Sequence, residues 1–154
     1  MLEFSVPKNV PDWVANHTSD YLESGGTSGH MWAPANRDVA PLTTLLLVTK
    51  SRKTGKAITL PLIYLEVDGS YVVVASKGGA PEHPSWYLNL VADPKVALMV
   101  ATDQFEATAR TATGDERASL WPRMVAHYAP YQEYADKATA DTGREVPIVV
   151  LERA

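Results

Sequence analysis

The chain has 154 residues, 45% hydrophobic and 21% charged, with a formal net charge of −4 and no cysteine. That length suffices for one domain with its own core, and the missing cysteines remove disulfides, thiolate nucleophiles and Cys-based metal sites, as fits a cytoplasmic protein. The acidic balance argues against a nucleic-acid binder, no apolar run approaches the roughly 20 residues of a membrane span, and residues 1–10 carry no signal-peptide pattern.

Residues 11–24 read as an amphipathic helix. Pro11 suits its first turn, Trp13, Val14, His17, Tyr21 and Leu22 recur at helical spacing, and Gly25-Gly26 ends it. Its charged residues, Asp12, Asp20 and Glu23, are all acidic, so an anionic membrane would repel it and membrane contact, though open, is not supported. Residues 25–41 are rich in Gly, Pro and Ser and read as a loop, with Trp32 as a pocket or lid residue. We expect residues 1–41 to pack on or near a ligand cleft within a single domain spanning residues 1–154.

From Leu42 the pattern turns to β. Leu42–Thr49 is apolar or Thr throughout, a turn at Thr54-Gly55 leads into Ile58–Val67, and Asp68-Gly69 is a two-residue hairpin signal before Tyr71–Ala75. Pro84 opens a short helix over Ser85–Val91, which stops at Asp93-Pro94. Val96–Ala101 and Phe105–Thr113 form another hairpin pattern. Thr113-Gly114-Asp115-Glu116 matches a capping box for a helix running to about His127, with Pro122 a point of kinking. A short helix over Tyr131–Thr139 and a strand over Val146–Leu151 complete the chain. About six strands with hairpin links, lacking the long crossovers of a parallel sheet, predict an α+β, mainly antiparallel barrel with peripheral helices.

Two stretches carry the chemistry. Lys50, Arg52, Lys53 and Lys56 crowd the first turn of a net-acidic chain, and Lys77 stands in a second stretch that runs through Gly78-Gly79 to Pro84-Ser85-Trp86. Both lie at strand ends, so a fold can bring them around one ligand. Cations, small residues with free N–H groups and a large aromatic suit a ligand with phosphate or carboxylate groups and a flat ring. Arg52 can fork two oxygens, whereas Lys53, Lys56 and Lys77 act as point charges. Tyr128, Tyr131 and Tyr134, spaced by three, project to one side if their segment is largely helical. His83, before a proline, reads as a turn residue. No dinucleotide fingerprint, Walker motif or zinc-type histidine pair occurs, and no metal is expected.

The order of these pieces resembles the deazaflavin-dependent nitroreductase and quinone reductase family, split-barrel proteins that bind coenzyme F420. The matching segments are L-L-L-V-T-K-S-R-K-T-G-K from Leu45, V-A-S-K-G-G-A-P-E-H-P-S-W-Y-L-N-L from Val74 and A-D-P-K-V from Ala92. They continue with W-P-R-M-V-A-H-Y-A-P-Y-Q-E-Y from Trp121 and P-I-V-V-L-E from Pro147, and D-Y-L-E-S-G-G-T from Asp20 is also similar. The resemblance implies that Arg52, Lys53, Thr54, Gly55, Lys56 and Lys77 meet the phosphate and oligoglutamate tail of the cofactor. It places Pro61, Ala75, Ser76, Ser85, Trp86, Tyr87 and Asn89 around the rest of it. It implies an acceptor pocket at Tyr128, Tyr131 and Tyr134, with Trp32 beside them. The implied reaction is hydride transfer from F420H2 to a small planar acceptor (a quinone, nitro-compound or activated enone); Ser76, at a predicted strand end beside Lys77, and Tyr131, from a distant segment, are the expected catalytic hydroxyls. One departure is Ile58, where some relatives carry a basic residue. An FMN-dependent barrel enzyme and a non-catalytic deazaflavin carrier are the competing expectations, and the sequence sets no oligomeric state.

Overall fold

The structure, a computed structural model, describes residues 1–35 and 37–154. Its order is α1 (Asp12–Glu23), β1 (Met31–Trp32), β2 (Leu42–Lys50), β3 (Ala57–Ile63), β4 (Leu65–Val67), β5 (Ser70–Val74), a 3-10 turn (Lys77–Gly79) and α2 (Ser85–Ala92). There follow β6 (Lys95–Val100), β7 (Asp103–Thr111), α3 (Gly114–His127), α4 (Pro130–Thr142) and β8 (Ile148–Arg153). The strands form one antiparallel sheet in the order β1-β2-β6-β7-β8-β5-β4, with β3 paired to β2.

The sheet curls into a split barrel because a single bend joins its two ends. The expected strand Ile58–Val67 is two strands that part at Tyr64: β3 pairs with β2, and β4 pairs with β5 at the far end of the sheet. The corner is held by Tyr64 N donating to Thr43 O at 3.1 Å and Thr43 Oγ1 donating to Tyr64 O at 2.9 Å. With the small strand β1 inside the expected loop, this split raises the strand count to eight. Leu45, Leu47, Val73, Val149 and Leu151 meet Trp86 and Leu90 of α2 in one enclosed core. Their neighbours in sequence face outwards: Val72, Val74, Ile148 and Val150 pack under α3 and α4, and Leu46 packs under Tyr21 of α1. Helices on both sides of the strand pairings explain why β2 and β8 read as continuous apolar runs rather than alternating ones.

One local expectation changes. Thr113 makes no side-chain cap at the start of α3. Glu116 instead pairs with Arg110, whose Nε also meets Glu152 Oε1 at 2.6 Å, so a cross-strand cation takes the carboxylate that a capping box would use. Pro130 opens α4, where a missing N–H costs nothing, and α3 runs through Pro122 to His127. The Asp68-Gly69 turn has both residues at positive φ (51° and 80°), as its hairpin requires.

Candidate active site

At the mouth of the barrel, the cleft divides into two compartments that share a wall. One, of about 400 Å³, is lined by Leu60, Pro61 and Leu62 of β3, Val74 of β5, the Ser76-Lys77-Gly78 turn, Pro84 and Trp86, with Trp13 and Val14 of α1 across from them. The other, of about 330 Å³, keeps Trp13, Pro61, Leu62, Val74, Ser76 and Gly78 and adds Tyr128, Tyr131 and Tyr134 opposite Trp32, His17 and Thr44. Ser76 therefore faces both spaces.

The basic turn stands beside the first compartment and is built locally. Ser51 N donates to Lys56 O and Gly55 N to Ser51 O, both at 2.8 Å, while Ser51 Oγ accepts from the N–H groups of Lys53 and Thr54 at 3.2 Å. Gly55 supplies the left-handed φ of 74° that this closure needs. Arg52, Lys53, Thr54, Gly55 and Lys56 are exposed. Only Arg52 is tied inwards: its N and Nη1 donate to Asn89 Oδ1 at 3.2 and 2.9 Å, and Nη1 reaches Ser85 O at 3.4 Å. Lys77 Nζ pairs with Glu82 at 2.7 Å, with both side chains substantially exposed. Exposed pairs of this kind are weak, so an incoming anion can displace the carboxylate.

Not every residue expected at the cofactor lines the cleft. Pro61, Ser76, Lys77 and Trp86 do. Asn89 is 2% exposed and lines neither compartment: its Oδ1 holds Arg52 and its Nδ2 donates to Thr49 Oγ1 at 3.2 Å. Tyr87 lies outside both compartments as well, with its hydroxyl 2.9 Å from Thr111 Oγ1 and its ring against His83. Ala75 is fully buried below Ser76. Two further side chains escape a sequence reading, Ser51 and Arg144. Ser51 does so because the donors its hydroxyl accepts from are backbone N–H groups within the turn, and Arg144 because its partners lie over 60 residues away.

The second compartment comes from six segments: α1, the stretch around Trp32, β2 at Thr44, β3, β5 with the turn after it, and Tyr128–Tyr134. Tyr128 and Tyr131 meet edge to face at 5.0 Å. Burial pushes the Tyr128 hydroxyl up to about 12, with hydrogen bonding to Tyr134 as a lesser cause, and burial also raises Tyr131. Both hydroxyls therefore keep their protons at neutral pH. Arg37 Nη2 donates to Tyr134 OH at 3.2 Å, its guanidinium lies 5.4 Å from that ring, and Nη1 pairs with Glu133 at 3.0 Å. Opposite, Trp13 stacks on Trp32 at 5.3 Å and Trp32 on His17 at 5.7 Å. His17 Nε2 lies 2.7 Å from Gly29 O, which marks it as the protonated nitrogen, while Nδ1 is buried without a partner. Helix α1 is pinned in place: Tyr21 OH donates to Thr44 O at 2.9 Å and accepts from Ala101 N at 2.8 Å. Beyond it, a Cβ at Gly26 would fall 1.8 Å from Ala101 O, so only glycine fits there.

Residues 13–153 match the family model described as F420H(2)-dependent quinone reductase. The chain belongs to that family. It is 34% identical over 140 residues to the F420H(2)-dependent quinone reductase Rv1261c of Mycobacterium tuberculosis strain H37Rv, covering 89% of this chain and 87% of the relative. Rv3178 of the same strain, by name another quinone reductase of this kind, is 40% identical over 111 residues (72% and 90%). Among solved structures, the F420-H2 dependent reductase FDR-A superposes with a TM-score of 0.63 at 40% identity, covering 71% of this chain and 93% of its own. The chain is thus a split-barrel oxidoreductase, and its cofactor is coenzyme F420. The cleft fits that group: an apolar slot beside Trp86 matches a flat ring, and the exposed cations of the basic turn match a phosphate and an oligoglutamate tail. Among the described residues, no helix is long and apolar enough to cross a membrane, and no cluster of three or more potential metal ligands occurs.

Proposed function

We propose that the first compartment takes the deazaflavin ring, the basic turn takes its phosphate and tail, and the tyrosine compartment takes a planar acceptor, a quinone before a nitro-compound or an enone. The observation that carries this reading is the shared wall. The two spaces have Trp13, Pro61, Leu62, Val74, Ser76 and Gly78 in common, so a flat ring in one would lie next to a flat ring in the other. When bound, reduced F420 supplies the hydride. This chain's residues hold and orient the two partners and answer the charge that develops on the acceptor. Ser76, in both compartments, and Tyr131, buried and kept protonated, are placed to donate hydrogen bonds to the oxygen that becomes anionic, which lowers the barrier. Tyr128, Tyr134 and Trp32 supply ring faces that position the acceptor, with α1 as a fixed wall rather than a mobile cover. Arg52, Lys53, Lys56 and Lys77 attract the anionic tail, the exposed Thr54 hydroxyl can donate to it, Gly55 closes the turn that presents these groups, and Asn89, Ser85 and Tyr87 support from behind.

The basic turn is also what separates this reading from an FMN enzyme, since it provides more cations than a single phosphate requires. Parallel fluorescence titrations with F420 and FMN, followed by turnover with menadione, a nitroimidazole and cyclohexenone, test it. F420 should bind more tightly than FMN and support quinone turnover. Tighter FMN binding, or F420 binding without turnover of any acceptor, contradicts the proposal.

A further inference from the structure

We infer that Arg144 is a positioning residue: it holds the Ser76–Ala80 turn in shape and, through that turn, fixes the spacing between Ser76 and the tyrosines of α4. The residue follows directly on Gly143, whose left-handed φ of 74° ends α4, and it is 9% exposed. Arg144 Nε donates to Ala80 O at 3.0 Å and Nη2 to Ser76 O at 2.8 Å. Nη1 donates to Ala75 O at 3.2 Å and to His83 Nδ1 at 3.1 Å. Among the described residues it forms no ion pair. A buried charge without a counter-ion persists only where dipoles compensate it, and here three carbonyls and an imidazole nitrogen do so.

Beyond the turn's own bonds, Gly79 N to Ser76 O at 2.9 Å and Ala80 N to Lys77 O at 3.1 Å, the side-chain support of these carbonyls comes from Arg144. They flank a turn in which Lys77, Gly78 and Gly79 have φ of 46°, 61° and 81°, a left-handed run that includes one residue with a Cβ. Such a backbone needs outside support, and the planar fork of arginine spans all four acceptors where an ammonium group cannot. The turn also touches α4 directly, since a Cβ at Gly79 would lie 2.8 Å from Tyr134 O. Arg144 at the end of α4 and Gly79 at its middle therefore clamp the turn that presents Ser76 against the helix that presents Tyr131 and Tyr134. Consequently a change at Arg144, which lines neither compartment, alters reacting distances more than it alters binding surface.

This inference rests on the proposed placement of cofactor and acceptor, so its test has an arm that needs neither. Hydrogen exchange in the ligand-free protein is compared among wild type, Arg144→Lys and Arg144→Ala, followed by steady-state kinetics with F420H2 and a quinone. Folded variants, judged by circular dichroism, should exchange the amides of residues 76–80 about tenfold faster while β2 and β6 keep their rates, since only the local support is lost. Turnover number should fall by about tenfold or more with quinone KM changed by less than about threefold. Should Arg144→Ala fail to fold, Arg144→Lys alone decides. Unchanged exchange in the turn, or unchanged turnover in a folded variant, overturns the assignment. A wild-type protein that binds no F420 would instead remove the reading of the cleft, while the exchange arm would still decide whether Arg144 holds the turn.

Discussion

In the proposed placement, the two halves of the cleft recognise their ligands by opposite means. The basic turn is exposed, short in sequence and closed by its own backbone and Ser51, so it offers charge with little shape. The tyrosine compartment is walled largely by rings and draws on α1, β1, β2, β3, β5 with the turn after it, and Tyr128–Tyr134, so it offers shape with little charge. Charge recognition tolerates loose geometry and weakens with salt, whereas packing between rings depends on distances fixed by the whole fold. The cofactor half therefore suits a ligand with a long flexible anion, and the acceptor half sorts small planar molecules by fit.

Variants that touch the reacting hydroxyls should give the largest effects. Tyr131→Phe and Ser76→Ala should each lower quinone turnover by about a hundredfold, the scale of one lost donor at a developing oxyanion, with F420 affinity held within about tenfold. Steady-state and titration data on the same preparations check this, and full activity in both variants would place the acceptor elsewhere. Next comes Arg52→Ala combined with Lys53→Ala, which should weaken F420 binding by about tenfold to a hundredfold in dilute buffer. That deficit should shrink as salt rises, because exposed contacts are screened. A smaller change is expected from Tyr134→Ala, a rise of about tenfold or less in quinone KM with little change in F420 affinity, through lost ring contact.

The smallest effect is on stability and follows from the histidines. Burial lowers the pKa of His17, His83 and His127 from about 6.5, so the folded state favours their neutral forms. The contribution is intact above the unfolded value and is lost as pH falls through the lowered folded values, since the unfolded chain takes up protons first. Melting temperature should therefore fall from pH 7.5 to pH 5, and His17→Gln should flatten part of that slope. A midpoint that rises on acidification contradicts it.

What the sequence makes legible divides along the same line. The strands, the Asp68-Gly69 hairpin and the basic turn are local, and periodicity, turn chemistry and charge clustering display them directly. The three tyrosines are visible by spacing, yet their common pocket exists only because Pro130 restarts a helix after Tyr128. The break at Tyr64 is silent, because the residues on both sides are equally apolar and only the sheet's closure makes the chain turn there. Asn89 looks like a ligand contact by its position on α2, but its amide is committed to Arg52 and Thr49, a pairing across 37 and 40 residues that no local pattern reports. Arg144 is hidden for the same reason.

The central claim is that one cleft holds two ligands side by side, one through the basic turn and the other through the tyrosines, and a crossed comparison tests it most directly. F420 dissociation constants and quinone KM values are measured for wild type, the Arg52→Ala/Lys53→Ala double variant and Tyr134→Ala under one buffer condition. The account predicts that the basic-turn variant moves the F420 constant and leaves quinone KM within about threefold, while Tyr134→Ala does the reverse. Both variants shifting both constants together, or the basic-turn variant leaving F420 binding untouched, would contradict it.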